Sequence, residues 1–258
     1  MTDCYKPRDE CGLSSAIKDA ATAKMPLVVR GAGSKSAMGR PLGGYAMPLT
    51  TERMRGVSLY EPTELVIGAL PGTPVSEIDR MLAKHNQMLP FEPMDHRVLF
   101  GTSAEPTIGG IVAGNVSGPR RVAVGACRDS LIGVRLVTGR GDIVKSGGRV
   151  MKNVAGFDVS RLMTGAMGTL GVITEVSLKC LPLPRTEATR LFAMSADESI
   201  RRVNEWGGQP LPLSATCFHQ GQLAVRLSGA PSAVAAACAK MGGTAVEDTE
   251  GLWTSVRD

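Results

Sequence analysis

Apolar residues first recur at helical spacing over residues 14–24, where Ile17, Ala20 and Ala21 share one face. Pro26 then stops the helix, and the apolar run Leu27-Val28-Val29 predicts a buried strand that feeds a glycine loop, the first half of an α/β unit. After a Gly/Pro-rich connection over 39–48, the run 64–70 predicts a second strand. Thr73 and Pro74 supply an N-cap and a first-turn proline for a helix reaching about His85. Leu89-Pro-Phe-Glu-Pro93 breaks the pattern.

From Asp129 the pattern turns to β. Residues 131–137 and 143–145 predict a hairpin around the turn Thr138-Gly-Arg-Gly-Asp142, and a short helix follows over 158–163. Val172, Thr174, Val176 and Leu178 alternate with Ile173, Glu175, Ser177 and Lys179, the period of a half-buried strand. Pro182 and Pro184 close it, which sets a boundary between a domain over 1–184 and a smaller one over 185–258. Beyond it the order is strand (189–194), helix (195–206), strand (214–218), strand (222–227) and helix (231–241), with Ser195 and Glu198 spaced as a capping box and Gly242-Gly243 as a stop. The fold class is α+β. This βαββα run resembles a ferredoxin-like unit that wants one more strand, which Thr244 could begin; without it the cap is short and incomplete.

Composition narrows the function. With 43% hydrophobic and 21% charged residues the chain is an ordinary globular protein, and 31 glycines against 4% aromatics favour backbone loops over aromatic stacking as the recognition device. The net charge of +5 is spread without like-charge runs, so nucleic acid is not an expected partner. The six cysteines show no C-x-x-C spacing and no histidine cluster, which excludes an internal zinc or iron–sulfur site as an expectation and points to reduced thiols in the cytoplasm. No apolar stretch approaches the roughly 18 residues of a membrane span, and the polar start lacks a signal-peptide core.

Three glycine-rich segments border strands: Arg30-Gly-Ala-Gly-Ser-Lys-Ser36, Thr107-Ile-Gly-Gly-Ile-Val-Ala-Gly-Asn-Val-Ser-Gly118 and Gly165-Ala-Met-Gly-Thr-Leu-Gly171. The first fails as a dinucleotide fingerprint because Ser36 stands where a third glycine is required, and as a Walker loop because Ser34 precedes Lys35-Ser36. It remains a glycine nest in which Ser34, Lys35 and Ser36 offer hydrogen bonds and one positive charge to a diphosphate, or else a plain tight turn. The second segment reads equally as a close-packed turn, and the third alone as helix-to-strand punctuation.

These segments, together with Gly125, Arg128-Asp129, Gly147-Gly148 and Lys152-Asn-Val-Ala-Gly-Phe-Asp158, resemble the FAD-binding (PCMH-type) domain of the vanillyl-alcohol-oxidase kind over about residues 10–184. Lys152 to Asp158 followed by Gly168-Thr-Leu-Gly-Val-Ile173 is similar to the glycolate oxidase and lactate dehydrogenase flavoprotein branch. The resemblance implies a two-lobed domain, divided near residue 70, with Gly31, Ala32, Gly33, Ser34, Lys35 and Ser36 at the FAD diphosphate. It also implies that Thr107, Gly109, Gly110, Gly114, Asn115 and Gly118 line the middle of the cofactor. Gly125, Arg128 and Asp129 join that set, as do Gly171, Val172 and Ile173, the last two through backbone groups. Covalent members carry a histidine in the first glycine loop, where this chain has Ser34, so non-covalent FAD is expected.

His85, His96 and His219 lie outside the glycine loops, as surface or turn residues or as a base; Arg120, Arg121 and Arg128 are ordinary surface charges or a carboxylate clamp. By the same resemblance, the chain is an FAD-binding subunit of a complex oxidising a 2-hydroxy acid such as glycolate, beside a homologous catalytic flavoprotein and an iron–sulfur subunit. Any membrane contact would run through that complex. The alternatives are a non-catalytic electron-transfer or scaffold subunit, or an unrelated α/β binding protein whose glycines only make turns.

Overall fold

The computed structural model describes residues 4–40, 46–148 and 157–258. Helix α1 (Glu10–Thr22) begins four residues before the expected limit because Asp9 caps it, accepting the Gly12 N–H at 2.8 Å. It buries Leu13, Ile17 and Ala20. Strand β1 (Leu27–Arg30) pairs in parallel with β2 (Met47–Thr50), Leu27 opposite Met47, which the Gly/Pro-rich reading of that stretch had missed.

Two more strands follow, β3 (Val57–Glu61) and β4 (Val66–Ala69). Helix α2 (Val75–Ala83) comes next, with Pro74 at its cap position. Thr73 does not cap it, because its hydroxyl is spent on Gly56 and on the Leu70 carbonyl. Short elements then carry the chain across one face: β5 (Gln87–Met88), α3 (His96–Phe100), α4 (Ile108–Ala113), α5 (Arg121–Val124) and α6 (Cys127–Ser130). The hairpin β6 (Leu131–Val137) and β7 (Ile143–Gly147) forms as its turn predicts. Helix α7 (Val159–Met163) is capped by Asp158, and β8 (Val172–Lys179) leads to β9 (Leu181–Pro182).

The main sheet runs β3-β4-β8-β6-β7 with every neighbouring pair antiparallel. The lobe division expected near residue 70 is therefore displaced, since β3 and β4 belong to the larger sheet and only α1, β1 and β2 form the smaller lobe. Strand β8 is central and buried on both faces rather than half-buried. Its Ile173 and Val176 enter the main core with Ile67, Ile108 and Phe91, while Val172 joins Leu13, Leu49 and Val137 beneath the small lobe.

After β9 come β10 (Thr186–Ala193), α8 (Ala196–Gly207), β11 (Leu213–His219), β12 (Gln222–Gly229), α9 (Pro231–Met241), β13 (Thr244–Ala245) and α10 (Thr249–Arg257). The sheet order β11-β12-β10-β13, antiparallel throughout, is that of a split βαββαβ unit. The fourth strand begins at Thr244 as expected, so the unit is not left incomplete. Helix α10, not foreseen, lays Trp253 on β10, where its indole N–H donates to Thr189 at 2.8 Å.

One buried ionic cluster ties this unit to the larger lobe. Arg120 (5% exposed) donates to Glu92 at 3.1 Å and to Glu187 at 2.5 Å. Arg226 (4% exposed) donates to the other Glu92 oxygen at 2.7 Å and stacks its guanidinium 4.9 Å from the Trp253 ring. Burial by itself raises the Glu92 carboxyl, but the hydrogen bond from Arg226 and the charges of Arg120 and Arg226 outweigh it and hold the group below the ordinary carboxylate value. Glu92→Gln, which takes the carboxylate from buried Arg226 and leaves buried Arg120 with Glu187 alone, is expected to destabilise by about 3–5 kcal/mol in chemical denaturation. A lowered carboxylate stabilises fully above its unfolded value, about pH 4.3, and loses that contribution as pH falls through the folded value. The variant's stability should therefore change less than the wild type's on acidification below pH 4.3; an equal slope would remove Glu92 as its source.

Candidate functional site

The first glycine segment leaves the end of β1 and turns at once. Thr50 on β2 donates its hydroxyl to the Gly31 carbonyl at 2.9 Å, and the turn closes through Ser36 N–H to the Gly33 carbonyl at 3.1 Å. Gly33 sits at φ +92°, a conformation glycine adopts without strain. Gly31 faces the second segment so closely that a Cβ there would stand 2.1 Å from the Thr107 hydroxyl.

That second segment is half helix, not loop. Ile108 and Gly109 donate their N–H groups to the carbonyls of Thr73 and Pro71, both at 2.9 Å, which seats the start of α4 on the turn after β4. A Cβ on Gly109 would meet Pro71 at 2.5 Å, and one on Gly110 would lie 3.4 Å from the Lys35 ammonium. The third segment lies against both others. Gly165 and Met167 donate to the carbonyls of Val112 and Ala113 at 3.1 and 2.9 Å, and a Cβ on Gly168 would stand 3.2 Å from Val29, two residues before Gly31. Three segments far apart in sequence thus meet around one cradle.

Lys35 is the cation that the first loop places beside Gly110. Its ammonium lies 3.4 Å from the Ser34 hydroxyl, and burial pushes it down to about 8, partly opposed by the charge of Asp95. Ser34 and Thr107 are buried at the same place. A half-buried cation walled by backbone that carries no side chains at Gly31, Gly109 and Gly110 fits a diphosphate, which brings negative charge and needs close main-chain approach. Sequence reading missed that Asp95 and His96, at the cap and start of α3, face this lysine. His96 is 4% exposed, not a surface residue; its Nδ1 is 3.3 Å from the Met94 carbonyl, and burial, then the Lys35 charge, lowers it.

Other expected site residues are held by packing farther along the same ridge. The Asn115 amide oxygen, at a residue with φ +49°, accepts the Arg128 N–H at 3.1 Å, and Gly114 packs on Val116 and the Gly110 carbonyl. A Cβ on Gly118 would strike the Glu92 carbonyl at 2.2 Å, and one on Gly125 would meet the Asp129 carboxylate, which accepts the Ala126 N–H at 2.8 Å. Gly171, at φ +152°, packs against the Val137 carbonyl, while Val172 and Ile173 bury their side chains and pair with Val137 and Leu136. Ala32 and Ser36 stay with the first loop, and residues 152–156 of the Lys152 to Asp158 motif lie outside the described residues.

Arg120, one of the candidate carboxylate clamps, already holds Glu92 and Glu187; Arg121 and Arg128 are exposed. A cavity of about 660 Å³ opens beside this cluster, between α2, the 87–97 segment and α10, with Asp95, Arg97, Arg226, Trp253 and Arg257 in its walls. Glu92 and Arg226 left a signal in the sequence, a carboxylate between Phe91 and Pro93 and an arginine inside the strand Leu-Ala-Val-Arg-Leu227.

The FAD binding domain family matches residues 4–147. The glycolate oxidase subunit GlcE of Escherichia coli is 41% identical over 253 residues, which take in 96% of this chain and 69% of that protein. The glycolate oxidase subunit GlcD of Bacillus subtilis is 30% identical over 72% of this chain and 38% of its own length. The mitochondrial D-lactate dehydrogenase [cytochrome] of Arabidopsis thaliana is 32% identical over 69% and 30%. In fold, an alkyldihydroxyacetonephosphate synthase superposes with a TM-score of 0.69 at 17% identity, covering 91% of this chain and 48% of that one. The chain spans about two thirds of the Escherichia coli subunit and between 30% and 48% of these longer proteins. With the family matched over more than half its length, the chain belongs to the FAD binding domain family of flavin-dependent oxidoreductases.

Proposed function

We propose that this chain is the FAD-binding subunit of a glycolate-oxidising assembly, and that it holds FAD non-covalently with the diphosphate between residues 31–36 and 107–110. The observation that carries the reading is the meeting of three glycine segments at α4, with Lys35 of the first beside Gly110 of the second. Residues 1–184 form the flavin-binding part and 185–258 the cap. A homologous, longer catalytic flavoprotein and an iron–sulfur subunit complete the assembly, which sits in the cytoplasm and meets a membrane only through its partners. The 2-hydroxy acid is the electron donor, and none of the six cysteines has the spacing to relay electrons onward.

Bound here, FAD supplies a two-electron acceptor for the hydride on the donor's α-carbon. The chain's residues bind and orient it: Lys35 and Ser34 place a charge and a hydroxyl at the diphosphate, Gly31, Gly109 and Gly110 let main chain approach it, and Asn115 holds the 115–128 loop beside it. One observation favours the second reading, a flavin-holding subunit without substrate chemistry of its own. Arg120 and Arg226 both spend their guanidinium groups on Glu92, so two buried arginines in the cavity wall are engaged internally.

A purified, reconstituted preparation should be yellow and should release all its flavin into the supernatant on denaturation; a protein that stays colourless with added FAD ends the proposal, and flavin left on the precipitate ends its non-covalent part. Mixing with glycolate in a stopped-flow cell separates the readings, bleaching favouring catalysis by this chain and unchanged flavin the accessory role. Gly110→Ala is the cleaner mutational test. It adds a methyl 3.4 Å from the Lys35 ammonium inside a helix, where alanine gains about 1 kcal/mol over glycine. The apoprotein's Tm should hold or rise while FAD affinity, read by flavin fluorescence, falls at least about tenfold, or about 1.4 kcal/mol.

A further inference from the structure

Among the described residues, the half-buried Lys35 has no carboxylate hydrogen-bonded to its ammonium. Its hydrogen bond is to the neutral Ser34 hydroxyl, and its surroundings on the α4 side are the Thr107 hydroxyl and the bare backbone of Gly110. Among the described residues, the charged and titratable groups that face it come from α3 and its cap. Asp95 is already committed, with both carboxylate oxygens on Arg97 and its N–H on Asp258. His96 turns Nδ1 toward the Met94 carbonyl and stacks on Phe100 with ring centroids 5.8 Å apart. Asp95 favours the charged lysine, whereas a charged His96 and Lys35 disfavour one another.

We propose that Lys35 is a ligand-binding residue whose charge is completed by the ligand it holds: the cradle takes up one proton at Lys35 as the FAD diphosphate enters. This rests on the reading that FAD binds at the cradle. The proton comes from solvent and goes to the Lys35 Nζ; no bond of the cofactor is made or broken. Before binding, burial holds the ammonium near 8, against an ordinary value of about 10.4, so the free protein carries a growing share of neutral lysine as pH rises from 7 to 9. Two phosphate charges against the same nitrogen favour the ammonium and restore its proton. Binding and protonation are therefore linked, and the dinucleotide binds best where the lysine is already charged.

The test is calorimetric titration of the apoprotein with FAD at pH 7, 8 and 9, each in two buffers of different ionisation enthalpy, which counts protons taken up. Circular dichroism at each pH checks the fold. The wild type should take up about 0.1 proton at pH 7 and about 0.9 at pH 9, and its affinity should fall about tenfold between them. K35R, charged throughout, should show neither the extra uptake nor the fall, and it cancels any titration of the flavin itself. K35M should bind weakly and with little pH dependence, below the wild type at all three pH values. FAD binding with no proton uptake by the wild type overturns the inference and leaves the cofactor reading standing. Uptake that persists in both K35R and K35M overturns it as well. No FAD binding by the wild type at any pH fails the cofactor reading, and the inference with it.

Discussion

At Gly31 the end of a parallel strand in the small lobe meets Thr107 with no room for a single methyl, and the rest of the groove is organised by that contact. Gly72 repeats it, since a Cβ there would stand 2.4 Å from the Thr51 carbonyl, and so does Gly109 against Pro71. The small lobe, the turn after β4 and the start of α4 are thereby locked together through glycine backbone. The same absence of side chains that lets three segments pack also leaves their backbone open to a ligand. Packing and recognition are one constraint here, which is why a glycine count alone could not separate them.

A second constraint fixes what stands over that groove. The loop around Phe91 and Glu92 is stapled to the second glycine segment by the Gly118 N–H to the Phe91 carbonyl at 2.7 Å and by the Arg120 N–H to the Glu92 carboxylate. Glu92 then passes its other contact to Arg226 on β12, and α10 closes the arrangement with Trp253 under Arg226 and Asp258 on the Asp95 N–H. Charges this deeply buried are tolerated because each has its counterion and hydrogen bonds in place. The cap is held to the flavin-binding part by paired charge, in addition to the apolar contacts each side keeps mostly within its own core.

What was legible in the sequence was local. Proline at the first turn and glycine after the last fixed α9 at 231–241, and the Thr138 to Asp142 turn fixed the β6–β7 hairpin. What failed were features decided by tertiary neighbours. Strand β8 reads as alternating, yet it is covered on both faces because β4 and β6 flank it centrally and each face has a helix or lobe to meet. Strand β2 is four residues containing Pro48, and β3 is a half-buried edge strand, so neither has a pattern long enough to register. Glu92 and Arg226 are 134 positions apart, and nothing in either neighbourhood names the other. For the site, the three glycine segments were visible and their convergence was not; Asp95 and His96 were hidden because their role depends on a lysine sixty residues earlier.

The cradle also explains why a fold would keep an unmatched cation. Desolvating the Lys35 ammonium without a hydrogen-bonded carboxylate costs free energy in the empty protein, and a carboxylate placed to relieve it would repel the diphosphate. Asp95 is the compromise: near enough to favour the charge, and tied to Arg97 so that its own negative charge is largely neutralised. Stability forgone at Lys35 returns when an anion enters, so ligand binding and folding are coupled through one nitrogen. A half-buried cation that has no hydrogen-bonded carboxylate among the described residues distinguishes the proposed site more sharply than its glycine pattern does.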